Sequence, residues 1–159
     1  MSNNEVASKK RRGTFPWALW DWAEQPFPTI FQTFIFPIYI TSSAFGAEED
    51  TSRALGLATT IAGVMVALAA PIFGRRSDEM GKRKFWLMIN TFILAGVMAS
   101  LYFIAPTASM LWIGLIIFSF GGFIQEIAFI NYYAMLRQVS TPSNIGKVSG
   151  FAWGFGYVG

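Results

Sequence analysis

The sequence has no cysteine and no histidine. Their absence removes thiol nucleophiles, disulfide frameworks, Cys/His zinc sites and histidine acid/base chemistry. Charge is also scarce: charged residues fill 13% of the 159 positions, against 53% hydrophobic ones, and the mean hydropathy is +0.44. A soluble domain needs more polar surface than this, so a membrane protein is expected. The 12 Lys+Arg and 9 Asp+Glu leave a net charge of +3, but the placement of the charges says more than their sign.

What the chain does have is long apolar runs. A polar, basic tail at 1–16 precedes a stretch at 17–41 expected to be an uncleaved first helix, because a secretory signal would be shorter and end in a small-residue cleavage site. Further helices are expected at 54–73, 85–105 and 109–136, joined by loops at 42–53, 74–84, 106–108 and 137–147. The last segment, 148–159, reaches about 18 Å at 1.5 Å per residue, little more than half of the hydrocarbon core. The expected fold class is therefore an all-α integral membrane protein, with four spans and the start of a fifth.

The basic residues orient it. Lys9, Lys10, Arg11, Arg12, Arg75, Arg76, Lys82, Arg83, Lys84, Arg137 and Lys147 fall on one side, and Arg53 alone falls on the other. By the positive-inside rule the N-terminus is expected to be cytoplasmic, in a plasma (inner) membrane. Topology accounts for every basic run, so no nucleic-acid partner is expected.

Polar residues inside spans point to chemistry. A central carboxylate costs about 2.5 to 3.5 kcal/mol, which the Ile, Leu and Phe residues around Gln125 and Glu126, at about 0.3 to 0.6 kcal/mol each, can outweigh. Glu126 falls near mid-bilayer, and Ser119, Gly122, Glu126 and Tyr133 share a stripe expected to face the bundle interior. Glu126 either meets a proton or substrate there, or ties helices together. The first helix offers a second polar stripe in Asp21, Glu24 or Gln25, Pro28 and Gln32. Pro26 and Pro28 cannot donate to the carbonyls of Trp22 and Glu24, so the helix is either broken there or starts there, with Trp17, Trp20 and Trp22 then forming an interfacial belt. Asn90 and Asn131 lie off these stripes, where interhelical hydrogen bonds are their expected role. Small residues at Gly56, Thr59 or Thr60, Gly63, Ala67, Ala70 and Gly74, and again at Gly150 and Gly154, suit close helix approach.

The segment Gly74-Arg75-Arg76-Ser77-Asp78-Glu79-Met80-Gly81-Lys82-Arg83-Lys84 fits G-x-x-x-D-x-x-G-basic-basic after the second span. It resembles the signature loop of the major facilitator superfamily, with Arg76 where an apolar residue is usual and Glu79 where a basic one is usual. Trp17-Ala-Leu-Trp-Asp21-Trp-Ala23, Phe123-Ile-Gln-Glu126 with Asn131-Tyr-Tyr-Ala134-Met-Leu136, and the stretch from Thr141 to Gly159 resemble the vacuolar amino-acid effluxer-like (autophagy-related permease) branch. The resemblance implies the N-terminal part of a major-facilitator-type bundle whose remaining helices belong to a missing C-terminal part. It implies a secondary transporter of small solutes acting by alternating access, with efflux of amino acids or related metabolites. Proton coupling or substrate contact would fall to Glu126, then Asp21 and Glu24, with Gln25, Gln32 and Tyr133. Gly74, Asp78, Gly81 and Arg83 would form the gating loop. No cofactor, metal or enzymatic activity is expected; the partners are a small-molecule substrate, protons and the lipid bilayer. Two other readings stay open: a small four-helix homodimeric carrier, and a non-transporting structural or regulatory membrane protein.

Overall fold

A computed structural model describes the backbone of residues 3–158 and the side chains of 13–77 and 79–158. Met1, Ser2, Gly159 and the side chains of Lys9 to Arg12 and Asp78 therefore lie outside the described residues. The order of elements is α1 (Asn3–Glu24), a π-helix (Pro26–Ile35), α2 (Phe36–Ile40), α3 (Glu48–Met80), α4 (Arg83–Leu101), a short 3-10 turn (Ala108–Met110), α5 (Leu111–Val139) and α6 (Ile145–Gly156). All regular structure among the described residues is helical, as the hydropathy pattern implies.

Among the described residues, three stretches are long and apolar enough to cross a membrane: Glu48–Ser77, Arg83–Leu101 and Ala108–Val139. The segment 17–41 is not a single helix. Helix runs from Asn3 to Glu24, and the path is interrupted at Gln25 before passing into ten π-helical residues. Pro26 and Pro28 withhold the donors that the carbonyls of Trp22 and Glu24 would meet in an α-helix. The wider turn that follows is held in part by the Thr33 hydroxyl, which donates to the Pro28 carbonyl at 2.7 Å. The last apolar segment is helical over Ile145–Gly156.

The chain forms two compact units, Met1–Phe34 with Tyr132–Gly159, and Ile35–Asn131. In the first, α1 packs on α6. Gly156 makes that approach possible: a Cβ placed there would stand 2.6 Å from Asp21 Oδ2 and 3.1 Å from Gln25 Cγ. Midway along α1, the Thr14 hydroxyl donates to the Val139 carbonyl at 3.0 Å. Gly150 and Gly154 have no neighbour within 4 Å of a built Cβ, so the close approach falls outside the G-x-x-x-G pair.

In the second unit, Phe36 stacks on Phe118 with centroids 4.1 Å apart, and the Tyr39 hydroxyl donates to the Ile104 carbonyl at 2.6 Å. Glu48, Glu49 and Asp50 occupy the first turn of α3, where their charge complements the helix dipole. That helix runs 33 residues, about 50 Å at 1.5 Å per residue, well beyond the hydrocarbon core. The segment 74–84, expected to be a loop, is thus helical through Met80, and the turn shrinks to Gly81 and Lys82. Gly81 adopts φ +60, the left-handed region that a side chain would resist. The small-residue stripe of α3 is open at Gly56 and Gly63 and meets a neighbour at Gly74, where a Cβ would stand 3.6 Å from Ile130 Cγ2.

Candidate functional site

In the first unit, Trp17, Trp20, Asp21 and Glu24 recur at steps of three and four and so share one face of α1. That face is packed. Asp21 is 4% exposed and Glu24 8%, although both are carboxylates. The aromatic wall near Asp21 is built on Tyr132, 2% exposed. Trp17 stacks on its ring at 4.4 Å between centroids with 6° between planes, and Trp20 lies against it at 4.8 Å. The Trp17 indole N–H donates to the Tyr132 backbone carbonyl at 3.0 Å, which fixes the register of the stack. Gln25, half-buried at the end of α1, accepts from the Thr29 hydroxyl at 2.8 Å. Gln32 is half-buried within the π-helix.

Carboxyl groups withdrawn from water are satisfied by hydrogen-bond donors, by a proton or by a cation, and an aromatic face adds to the attraction for the last. The cluster is thus suited to hold a proton or a small cationic group. Trp17 is part of this wall; of Trp17, Trp20 and Trp22 only Trp22 is exposed.

In the second unit, α5 turns a different face inward than expected. Gly114, Leu115, Phe118, Gly121, Ile124, Gln125, Ile127, Ala128 and Asn131 are buried, and Glu126 is exposed. The packed stripe runs through Gln125, 2% exposed, and leaves Glu126 about 100° away on the helix. Glu126 therefore does not face the interior of the packed helices, and Tyr133, one heptad further on, is also exposed. Ser119 and Gly122 are half-buried.

Of the signature residues, Gly74 lies against Ile130 and Gly81 makes the turn. Arg83 opens α4 and is half-buried, while the Asp78 side chain lies outside the described residues. Next to this turn is a cavity of about 420 Å³ lined by Phe73, Arg76, Ser77, Glu79, Met80, Trp86, Asn90, Ile127 and Asn131. The Ser77 hydroxyl donates to Asn131 Oδ1, an α3–α5 hydrogen bond of the kind expected for that amide. Asn131 in turn donates to the Ile127 carbonyl at 2.9 Å. Asn90 Nδ2 has no partner among the described residues. A second, apolar cavity of about 290 Å³ lies between α3 and α5.

Residues 26–159 match the family profile described as Major Facilitator Superfamily, which is most of the chain. The chain belongs to the major facilitator superfamily. It is accordingly an integral membrane chain of a family of small-molecule transporters, which are not enzymes. A protein described as an uncharacterized MFS-type transporter, YxiO, from Bacillus subtilis (strain 168) is 34% identical over 152 residues, covering 90% of this chain. Because only 34% of that relative is covered, the major-facilitator chain spans about a third of its length. No solved structure matches.

The polar stripe read from the sequence took Asp21 with Glu24 or Gln25; in the fold Asp21 and Gln25 both adjoin Gly156, and Asp21 and Glu24 are buried. It missed Tyr132 and Gly156. Tyr132 follows Ala128 by one helical turn on the buried face of α5, a spacing visible once the phase of that helix is known. Gly156 carries no local signal, because its close neighbour is on another helix far away in sequence.

Proposed function

We propose that the chain is the N-terminal part of a secondary active transporter that moves small solutes by alternating access, with proton coupling through the Asp21–Glu24 pair. The observation that carries this reading is the burial of two carboxylates, one helical turn apart, on the helix face that carries the Trp17–Trp20–Tyr132 stack and directly before a proline-interrupted π-helix. Intramembrane carboxylates are costly, and transporters use them for proton or ion binding. Interrupted helices are where transporters hold such sites. Glu126, Gln32 and Tyr133 are proposed as further substrate or proton contacts. Gly74, Asp78, Gly81 and Arg83 form the gating loop, with the N-terminus on the cytoplasmic side of the plasma (inner) membrane. The motif Trp17 to Ala23 favours the effluxer-like branch and hence export of amino acids or related metabolites.

The test is flux in proteoliposomes carrying the full-length carrier under an imposed pH gradient, with a panel of radiolabelled amino acids. Asp21→Asn is expected to abolish gradient-driven flux while leaving exchange across a symmetric pH, and Glu126→Gln to flatten the pH dependence. Gradient-driven flux that survives Asp21→Asn removes the pair from coupling. An absence of flux for the whole panel in the wild-type carrier removes the amino-acid assignment.

A further inference from the structure

Helix α1 is held firmly on one side and loosely on another. On the α5 side, Trp17 stacks on Tyr132 and donates to its backbone carbonyl at 3.0 Å, so a ring face and a hydrogen bond pin the contact. Towards α6 the contact is packing alone. Phe155 lies 6.1 Å from Phe15 and 6.3 Å from Trp22 between ring centroids, and among the described residues no side-chain hydrogen bond or ion pair joins the two helices. The Asp21 carboxyl is seated on this loose side. A Cβ built on Gly156 would stand 2.6 Å from Asp21 Oδ2 and 3.3 Å from its Cγ, so the carboxyl fills the space that a side chain would take. Gly156 is the last residue of α6, whose final carbonyls form the negative end of the helix dipole.

Among the described residues, neither a cation nor a hydrogen-bond donor meets that carboxyl. Lys147, the basic residue of α6, stands nine residues before Gly156, and Arg12 stands nine before Asp21, each about 14 Å away along its helix axis. The titratable groups near Asp21 are Glu24, one turn further along α1, and Tyr132 of α5 with Tyr133 beside it; α6 brings none, and Tyr157 just beyond it is exposed. A neutral carboxyl fits such a seat, whereas an ionised one has to be solvated. We propose that Gly156 makes the α1–α6 contact a proton-operated latch, shut while Asp21 is protonated and opened when the proton leaves to water. An ionised Asp21 sets a second negative charge near Glu24 and against the negative end of α6, and admitting water between the helices relieves both. The α6 side yields because the α5 side is pinned. Gln25, whose Cγ is 3.1 Å from the same built Cβ, closes the seam one turn further on. This latch rests on the reading of Asp21 as a coupling carboxylate and adds to it the helix that moves.

The chain has no cysteine, so Leu19→Cys and Trp153→Cys, at exposed positions of α1 and α6, supply two unique thiols for spin labels. Double electron–electron resonance on the whole chain in nanodiscs measures the distance between them at acid and at alkaline pH. The distance is expected to lengthen at alkaline pH by about 3 Å, the thickness of one layer of water, and to stay short at both pH values in Asp21→Asn. Gly156→Ala is expected to hold the helices apart at both. Should Gly156→Ala not fold, the other two measurements decide. A distance that ignores pH, or a shift that survives Asp21→Asn, overturns the latch. Flux in the full-length carrier separates the two readings. A latch that opens while gradient-driven flux survives Asp21→Asn keeps this inference and removes the coupling role; a distance that ignores pH while flux still needs Asp21 removes this inference alone.

Discussion

Helices α1 and α3 treat polarity in opposite ways. On α1 the carboxylates Asp21 and Glu24 are buried. On α3 the apolar residues Leu57, Ile61, Val64, Met65, Leu68 and Ile72 are exposed, and none of its most apolar eighteen-residue window is buried. A water-soluble protein would not tolerate either arrangement. In a bilayer both follow from one rule: lipid solvates apolar side chains as well as a neighbouring helix does, so packing is spent on the groups that lipid cannot solvate. Burial of a carboxylate in this chain therefore marks a group that lipid cannot solvate, and exposure of leucine and isoleucine marks only contact with hydrocarbon or with further helices.

The comparison can be broken most forcefully at Gly156. Gly156→Ala puts a methyl group 2.6 Å from Asp21 Oδ2 and is expected to cost about 3 kcal/mol, the upper range for overpacking, measured by denaturant unfolding of the detergent-solubilised chain. Gly150→Ala, with no neighbour in reach of the new methyl, serves as its control; an equal loss in both would mean that α1 and α6 do not meet at Gly156. A smaller effect is expected from Trp17→Phe, which keeps most of the stack on Tyr132 but removes the indole donor to its carbonyl. The loss should be about 1 kcal/mol, the net worth of one hydrogen bond, read from the same unfolding curve. Smallest is Leu68→Ala on α3. With Leu68 71% exposed, the expected change is below about 0.5 kcal/mol, and a larger one would show that this face is covered. Repeating the measurement in the full-length carrier sharpens the contrast, because any helix that seats on α3 there turns the same substitution costly.

That the chain is built of several long apolar helices was legible in the sequence, because hydropathy reports the solvent each stretch can tolerate. The ends of those helices were not. Residues 75–80 are too polar to count as part of a span, yet backbone hydrogen bonding is indifferent to that, and α3 continues through them to Met80. The same holds for the polar residues before Trp17, which are helical from Asn3. Neighbours at Gln125 and Glu126 pose a different problem. Their depth can be counted from the ends of the run, but their facing depends on which residues of α5 find partners, and a shift of one position exchanges the buried amide for the exposed carboxylate. The acidic pair on α1 was readable from its spacing alone. Its burial was not, since Tyr132 and Gly156 come from sequence more than a hundred residues away.

The two-residue turn at Gly81 has a mechanical consequence. With α3 about 20 Å longer than the hydrocarbon core and joined to α4 through Gly81 and Lys82 alone, the hairpin has almost no slack in which to dissipate a push. A force applied to its basic tip travels down α3 as along a lever, and α4 has to follow. A few glycines inserted after Gly81 would act as a clutch, leaving each helix in place while uncoupling the tip of one from the motion of the other.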